Sequence, residues 1–251
     1  MQLYMIRHGQ STNNALTDQR NRVSDPPLTE LGKQQAQVLA QHLATGTELE
    51  PAGNTGRERD QKGYGITRIY CSPMWRALQT AEPIGQALGL APKVWTDLHE
   101  RGGIFFDHGD GRGPIGYPGK TRAEMRTTFP SYVLPEGIQE QGWWDGGYED
   151  WPACHRRAGK VAEAVRELAT ASNGERIVIV SHVDFMDAFL KALSNQLPDD
   201  QIFYYHYNTA VSRVDFHSNG CLDIRYLNRV SHLPATLISG NPRRPFACPS
   251  P

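Results

Sequence analysis

The chain has 251 residues with Lys+Arg 26 against Asp+Glu 27, which leaves no broad basic field to hold a nucleic-acid backbone. No run approaches the roughly 18 apolar residues of a membrane span, and MQLYMIRHG lacks the apolar stretch of a secretory signal. Four cysteines, scattered and without a C-x-x-C pair, exclude a zinc knuckle or a disulfide framework and fit a reducing, cytoplasmic setting.

In chain order, Leu3–Ile6 is a short apolar run suited to a buried strand. Thr29 reads as a helix N-cap, followed by Leu31, Gln35, Val38, Leu39, His42 and Leu43 at helical spacing. Ile66–Cys71 is the next strand. Pro73 is expected to open a helix through Leu88, with Pro83 kinking or shortening it. Val94 lies in a short strand, and Trp151 to Ala171 forms a long helix with Val161, Ala164, Val165 and Leu168 inward. Ile177–Val180 is a buried strand of β-branched residues, and Phe185–Leu193 is helical. Ala210–Phe216 and Cys221–Leu227 form a hairpin around Ser218-Asn219-Gly220. Alternating strands and helices predict an α/β three-layer sandwich, its mostly parallel central sheet flanked by helices.

Of the 24 glycines, 11 fall in residues 102–150 and five in 46–65. These stretches read as insertions, about 45–65 and 102–150, within a single catalytic domain of residues 1–232. The first is polar and expected to be an exposed, mobile loop. The second mixes aromatics with Gly and Pro and has the makings of an ordered cover over a site. Within it, Trp143 and Trp144 either pack a substrate or partner or fill a satellite core. Asp107, His108 and Asp110 read as a solvated loop rather than a metal site. Gly111-x-Gly113-x-x-Gly116 matches a dinucleotide fingerprint by letters only. Lys120, Arg122 and Arg126 read as a solvated face. Residues 233–251 form an irregular tail.

Three strands end in polar residues suited to one job: Leu3–Ile6 in Arg7-His8-Gly9, Ile66–Cys71 in Ser72-Pro73 and then Arg76, Ile177–Val180 in Ser181-His182. Open α/β sheets bind ligands at the carboxyl ends of their strands. Two arginines and two histidines there make a cationic cup, and guanidinium groups grip phosphate oxygens in pairs. A neutral imidazole is a nucleophile able to carry a phosphoryl group, and neighbouring arginines keep it neutral. In the resulting scheme His8 attacks phosphorus while Arg7, Arg76 and His182 stabilise the transferring oxygens. A carboxylic acid protonates the leaving oxygen and then activates water.

MIRHGQSTNN, SDPPLTELGKQQA, YCSPMWRALQTA, LHERGG, VIVSH and LNRVSHL, in that order, resemble the successive signatures of the histidine phosphatase superfamily, most closely its phosphoglycerate-mutase-like branch. The resemblance implies phosphorylation of His8 and a phosphate pocket of Arg7, Asn14, Arg76 and His182. It implies Glu100 as proton donor, with Asp97 and Asp107 nearby. It further implies a metal-independent phosphomonoester hydrolase with no cofactor, acting on a small phosphorylated substrate, oligomeric state open. Glu100 is followed by Arg101-Gly102-Gly103-Ile104, where cofactor-dependent mutases carry a histidine-tyrosine-glycine run. A phosphoglycerate mutase and a non-catalytic phosphate-binding module stand as alternatives.

Overall fold

The computed structural model describes residues 1–46, 63–172, 174–199 and 201–240. All but the two ends of the first insertion lie outside these.

Six strands form the central sheet: β1 (Gln2–Arg7), β2 (Arg68–Cys71), β3 (Lys93–Val94), β6 (Arg176–Ser181), β7 (Val211–Phe216) and β8 (Leu222–Arg229), in the order β3-β2-β6-β1-β7-β8. β1, β2, β3 and β6 run parallel, and the closing hairpin β7–β8 is antiparallel. The sheet is therefore mixed, its parallel part matching the alternation of apolar runs and helices in the sequence.

Strand periodicity sets the layers. In β1, Tyr4 and Ile6 face one layer while Leu3 and Met5 face the other, because successive side chains alternate across a sheet. On the first face lie α2 (Glu30–Thr45) and α3 (Trp75–Leu88), burying Leu39, Leu43, Leu78 and Ile84. On the second lie α5 (Trp151–Thr170) and α6 (Val183–Leu193), burying Val161, Val165, Phe185 and Phe189. Between β1 and α2 sits a single turn, α1 (Thr12–Ala15).

Thr29 caps α2 as expected, its hydroxyl accepting from Gly32 N at 3.0 Å. α3 departs from expectation: it begins at Trp75, and Pro73 stays outside it. Met74 at the N-cap supplies no side-chain bond. The Asp25 carboxylate substitutes, accepting from Trp75 N at 3.1 and 3.3 Å. Pro83 neither ends nor shortens α3, which runs on to a left-handed Gly89 (φ 65°), where Leu90 N donates to Gly85 O at 2.9 Å.

The second insertion is ordered. It holds a two-stranded sheet of β4 (Phe105–Asp107) and β5 (Pro114–Gly116), and α4 (Arg122–Thr128). Ile104, Met125, Phe129, Ile138 and Trp143 join the core on the α2–α3 side, with Trp144 packed against them. Asp110 pairs with Arg112, Asp107 accepts from Gly109 N, and His108 bonds the Tyr117 hydroxyl. Beyond β8, Ala235–Leu237 forms a 3-10 turn, and Gln35 Nε2 donates to Leu237 O (2.6 Å) and Ser239 Oγ (2.8 Å).

The first turn of α2 lies backbone-to-backbone on the segment after β1. A Cβ at Gly9 would meet Gly32 O at 2.6 Å, and one at Gly32 would overlap Gln10 O. Gly to Ala inside a helix ordinarily gains about 1 kcal/mol. Here Gly32→Ala should instead cost about 1–3 kcal/mol, because rigid backbone has to move. Urea unfolding with a lowered midpoint and an unchanged slope would show it; a raised midpoint would refute the close approach.

Candidate active site

The carboxyl ends of β1, β2 and β6 meet at His8. Its carbonyl accepts from Asn208 Nδ2 at 3.0 Å, its amide donates to Ser181 O at 3.0 Å, and the next amide, Gly9 N, donates to Thr80 Oγ1 at 3.0 Å. Thr80 Oγ1 in turn donates to Arg76 O at 2.7 Å. Thr209 N donates to Arg7 O at 3.0 Å, and Thr209 itself is held at φ 56°. A β-branched residue in the left-handed region is a local strain that the surrounding bonds must maintain.

The His8 ring has one consistent proton arrangement. Nδ1 lies 2.6 Å from Gly9 O, a carbonyl that can only accept, so Nδ1 carries the hydrogen. Nε2 is left with its lone pair and accepts from Arg76 Nε at 3.1 Å. Burial, then Arg76 and then Arg7, push the His8 pKa well below its ordinary value.

His182 lies beside it, ring centroids 5.0 Å apart. Its Nε2 is 2.7 Å from Ser72 Oγ, which already accepts from Met74 N at 3.2 Å. When Ser72 gives its hydroxyl proton to Nε2, the ring's own proton sits on Nδ1. That Nδ1 is buried and has no hydrogen-bond partner among the described residues. Arg7 Nε is likewise buried and unpartnered among them, while Arg7 Nη1 donates to His206 O at 2.6 Å. With that tautomer, two buried donors without acceptors lie beside an imidazole lone pair, an arrangement suited to an anion. Burial first, and then Arg76, hold the pKa of His182 well below its ordinary value.

Arg76 is backed by Asp25, Nη1 to Oδ1 3.8 Å. Burial pushes the Asp25 carboxyl up to about 6, with Arg76 opposing. Burial also lowers the pKa of Arg7 and of Arg76, and the Glu100 carboxylate raises both. Glu100 thus lies within electrostatic reach of the two guanidinium groups. It is seated on the N-terminus of α6: Oε1 accepts from Phe185 N and Arg101 N, each at 3.0 Å, and Oε2 from Asp184 N at 3.3 Å. Oε1 has both lone pairs engaged, so Oε2 is the oxygen able to carry a proton.

Asn14 is exposed and closes the capping box of α1 with Ser11. Its Oδ1 accepts from Ser11 N (3.2 Å) and Asn208 Nδ2 (3.3 Å), leaving its amide nitrogen without a partner among the described residues. Asp97 and Asp107 make no bond to this group of residues: Asp107 caps the Gly109 turn, and Asp97 contributes only its carbonyl, to Arg157. Sequence reasoning missed Asp25, Thr80, Asn208 and Arg157. The S-D-P-P string around Asp25 and the R-A-L-Q-T-A string around Thr80 gave local signals.

A family model of the histidine phosphatase superfamily (branch 1) matches residues 3–52 and 56–229, and the chain belongs to that superfamily. PE-PGRS family protein PE_PGRS11 of Mycobacterium tuberculosis is 38% identical over 103 residues, 41% of this chain and 15% of its own length. The probable phosphoglycerate mutase GpmB of Yersinia enterocolitica is 38% identical over 97 residues, 39% of this chain and 35% of its own length. In both cases well under half of the relative is spanned. Among solved structures, Bacillus stearothermophilus YhfR superposes with a TM-score of 0.58 at 23% identity, covering 92% of this chain and 98% of that one. A mycobacterial glucosyl-3-phosphoglycerate phosphatase solved with VO3 gives 0.54 at 21% identity, covering 90% and 98%. These likenesses establish the fold.

The neutral imidazoles have a thermodynamic signature. An unfolded histidine takes up a proton below about pH 6.5. His8 and His182, with pKa values depressed by folding, stay neutral well below that. Unfolding therefore binds protons in this range, and each such histidine removes about 1.4 kcal/mol of stability per pH unit as pH falls below about 6.5. Asp25, pushed up to about 6, acts in the opposite sense. His8→Asn should flatten the acid-side decline by about one proton between about pH 6.5 and 5, read from urea midpoints across pH. An unaltered slope would mean that His8 is charged in the folded chain.

Proposed function

We propose that the chain is a metal-independent phosphomonoester hydrolase that works through phosphohistidine on His8, with Glu100 as proton donor. The observation that carries this reading is the His8 ring: Nδ1–H committed to the Gly9 carbonyl and the Nε2 lone pair directed at the Arg76 guanidinium. A phosphoryl group arriving there takes over the Arg76 hydrogen bond through its oxygens. It also supplies acceptors for Arg7 Nε, His182 Nδ1 and the amide nitrogen of Asn14.

In the first step the His8 Nε2 lone pair forms a bond to phosphorus while the bond from phosphorus to the leaving oxygen breaks. Glu100 gives its proton, from Oε2, to that oxygen. In the second step Glu100, now a carboxylate, takes a proton from water as the water oxygen bonds to phosphorus. The P–N bond breaks, and inorganic phosphate and neutral His8 are restored. The four donors act most strongly on the charge that builds on the equatorial oxygens, and all but the exposed Asn14 are buried.

The alternative is a phosphoglycerate mutase, favoured by the local identity to the probable mutase GpmB. A mutase has to hold phosphohistidine against water until a second hydroxyl collects the phosphoryl group. Arg101 and Gly102, which come after the donor here, do not supply the mutase pattern, so hydrolysis is the preferred reading.

His8→Ala should abolish turnover of every phosphomonoester in a panel, and isotopically labelled substrate should leave no label on that variant. Residual turnover at the wild-type rate would remove His8 as nucleophile. In the same panel the unmodified chain should release phosphate without added bisphosphoglycerate and in the presence of chelator. Release that requires the bisphosphate would favour the mutase, and release lost to chelator would reject metal independence.

A further inference from the structure

Arg157, in the second turn of α5, is buried and has all five of its N–H donors engaged. Nε and Nη2 grip the Glu149 carboxylate in a fork, at 2.8 Å to Oε1 and 2.6 Å to Oε2. Nη1 donates to two backbone carbonyls, Asp97 O at 2.5 Å and His99 O at 3.0 Å. The remaining Nη2 hydrogen faces Cys154 Sγ at 3.7 Å. The guanidinium plane lies over the Phe185 ring, 4.6 Å from its centroid.

Each partner bears on Glu100. The peptide leaving His99 leads straight into Glu100, and His99 Nδ1–H donates to the Glu100 carbonyl at 2.8 Å. Phe185 supplies the backbone N–H that holds Oε1. Glu149, which grips Arg157, also donates its own N–H to Gly102 O at 3.3 Å, on the far side of Glu100. Trp143 and Trp144 close over the His99 ring, at centroid distances of 5.6 and 4.6 Å. Segment 97–102 is therefore clamped on both sides by residues 149 and 157, and no carboxylate other than Glu149 pairs with Arg157 among the described residues.

We propose that Arg157, held by Glu149, is the positioning residue for proton donation: it fixes the backbone on which Glu100 stands and ties it to the end of the 102–150 insertion. This rests on the reading of Glu100 as donor. Arg157 acts only through Glu100, so its loss should resemble a partial loss of the donor rather than a general loss of the fold. A planar fork with five donors cannot be replaced by an ammonium, so lysine is a graded test and not a silent change.

The experiment compares kcat/KM, which covers transfer to His8, for p-nitrophenyl phosphate, whose leaving group needs little protonation, and glycerol phosphate, whose leaving group needs it. Positioned proton transfer contributes about 10²–10⁴-fold, so Glu100→Gln should lose at least about 10²-fold on glycerol phosphate and far less on the aryl ester. Arg157→Lys and Glu149→Gln should each lose about 10-fold on glycerol phosphate and less than about threefold on the aryl ester. In Glu100→Gln/Arg157→Lys the second change should add nothing on glycerol phosphate, because the two act as a unit. Equal losses on both esters, or additive losses in the double variant, would overturn the proposal and leave Arg157 a structural residue. If Arg157→Lys does not fold, Glu149→Gln carries the same comparison. Absence of leaving-group selectivity in Glu100→Gln itself would overturn the donor reading and this proposal with it. Selectivity there, with none in Arg157→Lys or Glu149→Gln, would overturn the positioning role alone.

Discussion

An uncharged imidazole enclosed by guanidinium groups is the constraint around which the candidate site is arranged. Charging His8 would place a third cation beside Arg7 and Arg76 in a site from which water is largely shut out. Low dielectric makes that repulsion strong, and the same low dielectric makes the pocket's donors strong toward an anion. The fold resolves this by committing the Nδ1 proton to the neighbouring carbonyl and leaving Nε2 as an acceptor. The strained Thr209, the Asn208 amide and the Thr80 hydroxyl answer the same need, since each fixes backbone within one or two residues of His8.

The parallel sheet makes the convergence possible. β1, β2 and β6 are neighbours or near neighbours with a common direction, so the residues just beyond each of them arrive at the same edge. Two helices that start at this edge contribute backbone as well as side chains. α3 begins on Asp25, which stands behind Arg76, and α6 begins on Glu100. In both cases a carboxylate answers the unsatisfied amides of a helix start and is held for a second purpose. Capping and the organisation of the site are thus carried by the same atoms.

Only local features could be read from the sequence. The apolar run Leu3–Ile6, the Thr29 cap, the β-branched run Ile177–Val180 and the turn at Asn219-Gly220 each announce themselves within a few residues. They account for the sheet and most helix boundaries. The start of α3 could not be read, because its cap comes from Asp25, 50 positions before Trp75. Pro83 misled for a related reason: burial of Ile84 and the left-handed Gly89 hold the last turn together against the proline's missing donor. The 102–150 insertion could be read as ordered, but the elements within it could not, because its apolar residues are spaced neither at two nor at 3.6. They are gathered by contact with Trp143 and the α2–α3 layer. At the candidate site, Arg-His-Gly, Ser-Pro-x-x-Arg and Ser-His were visible as strand endings. Asn208 and the Arg157–Glu149 pair carry no such punctuation, and only the three-dimensional arrangement identifies them.

Gln35 links distant parts of this arrangement. Wholly buried, it accepts from Gln10 N and donates to Leu237 O and Ser239 Oγ, while Ser239 donates to Asn208, which holds the His8 carbonyl. The bonds span about 200 positions, so loop-closure entropy opposes them until most other contacts exist. During synthesis on the ribosome, His8 emerges about 200 positions before the groups that lock its carbonyl. A nascent chain that has built its strands and helices still has an unlocked His8 carbonyl, so the candidate site is completed after most of the tertiary structure rather than with it.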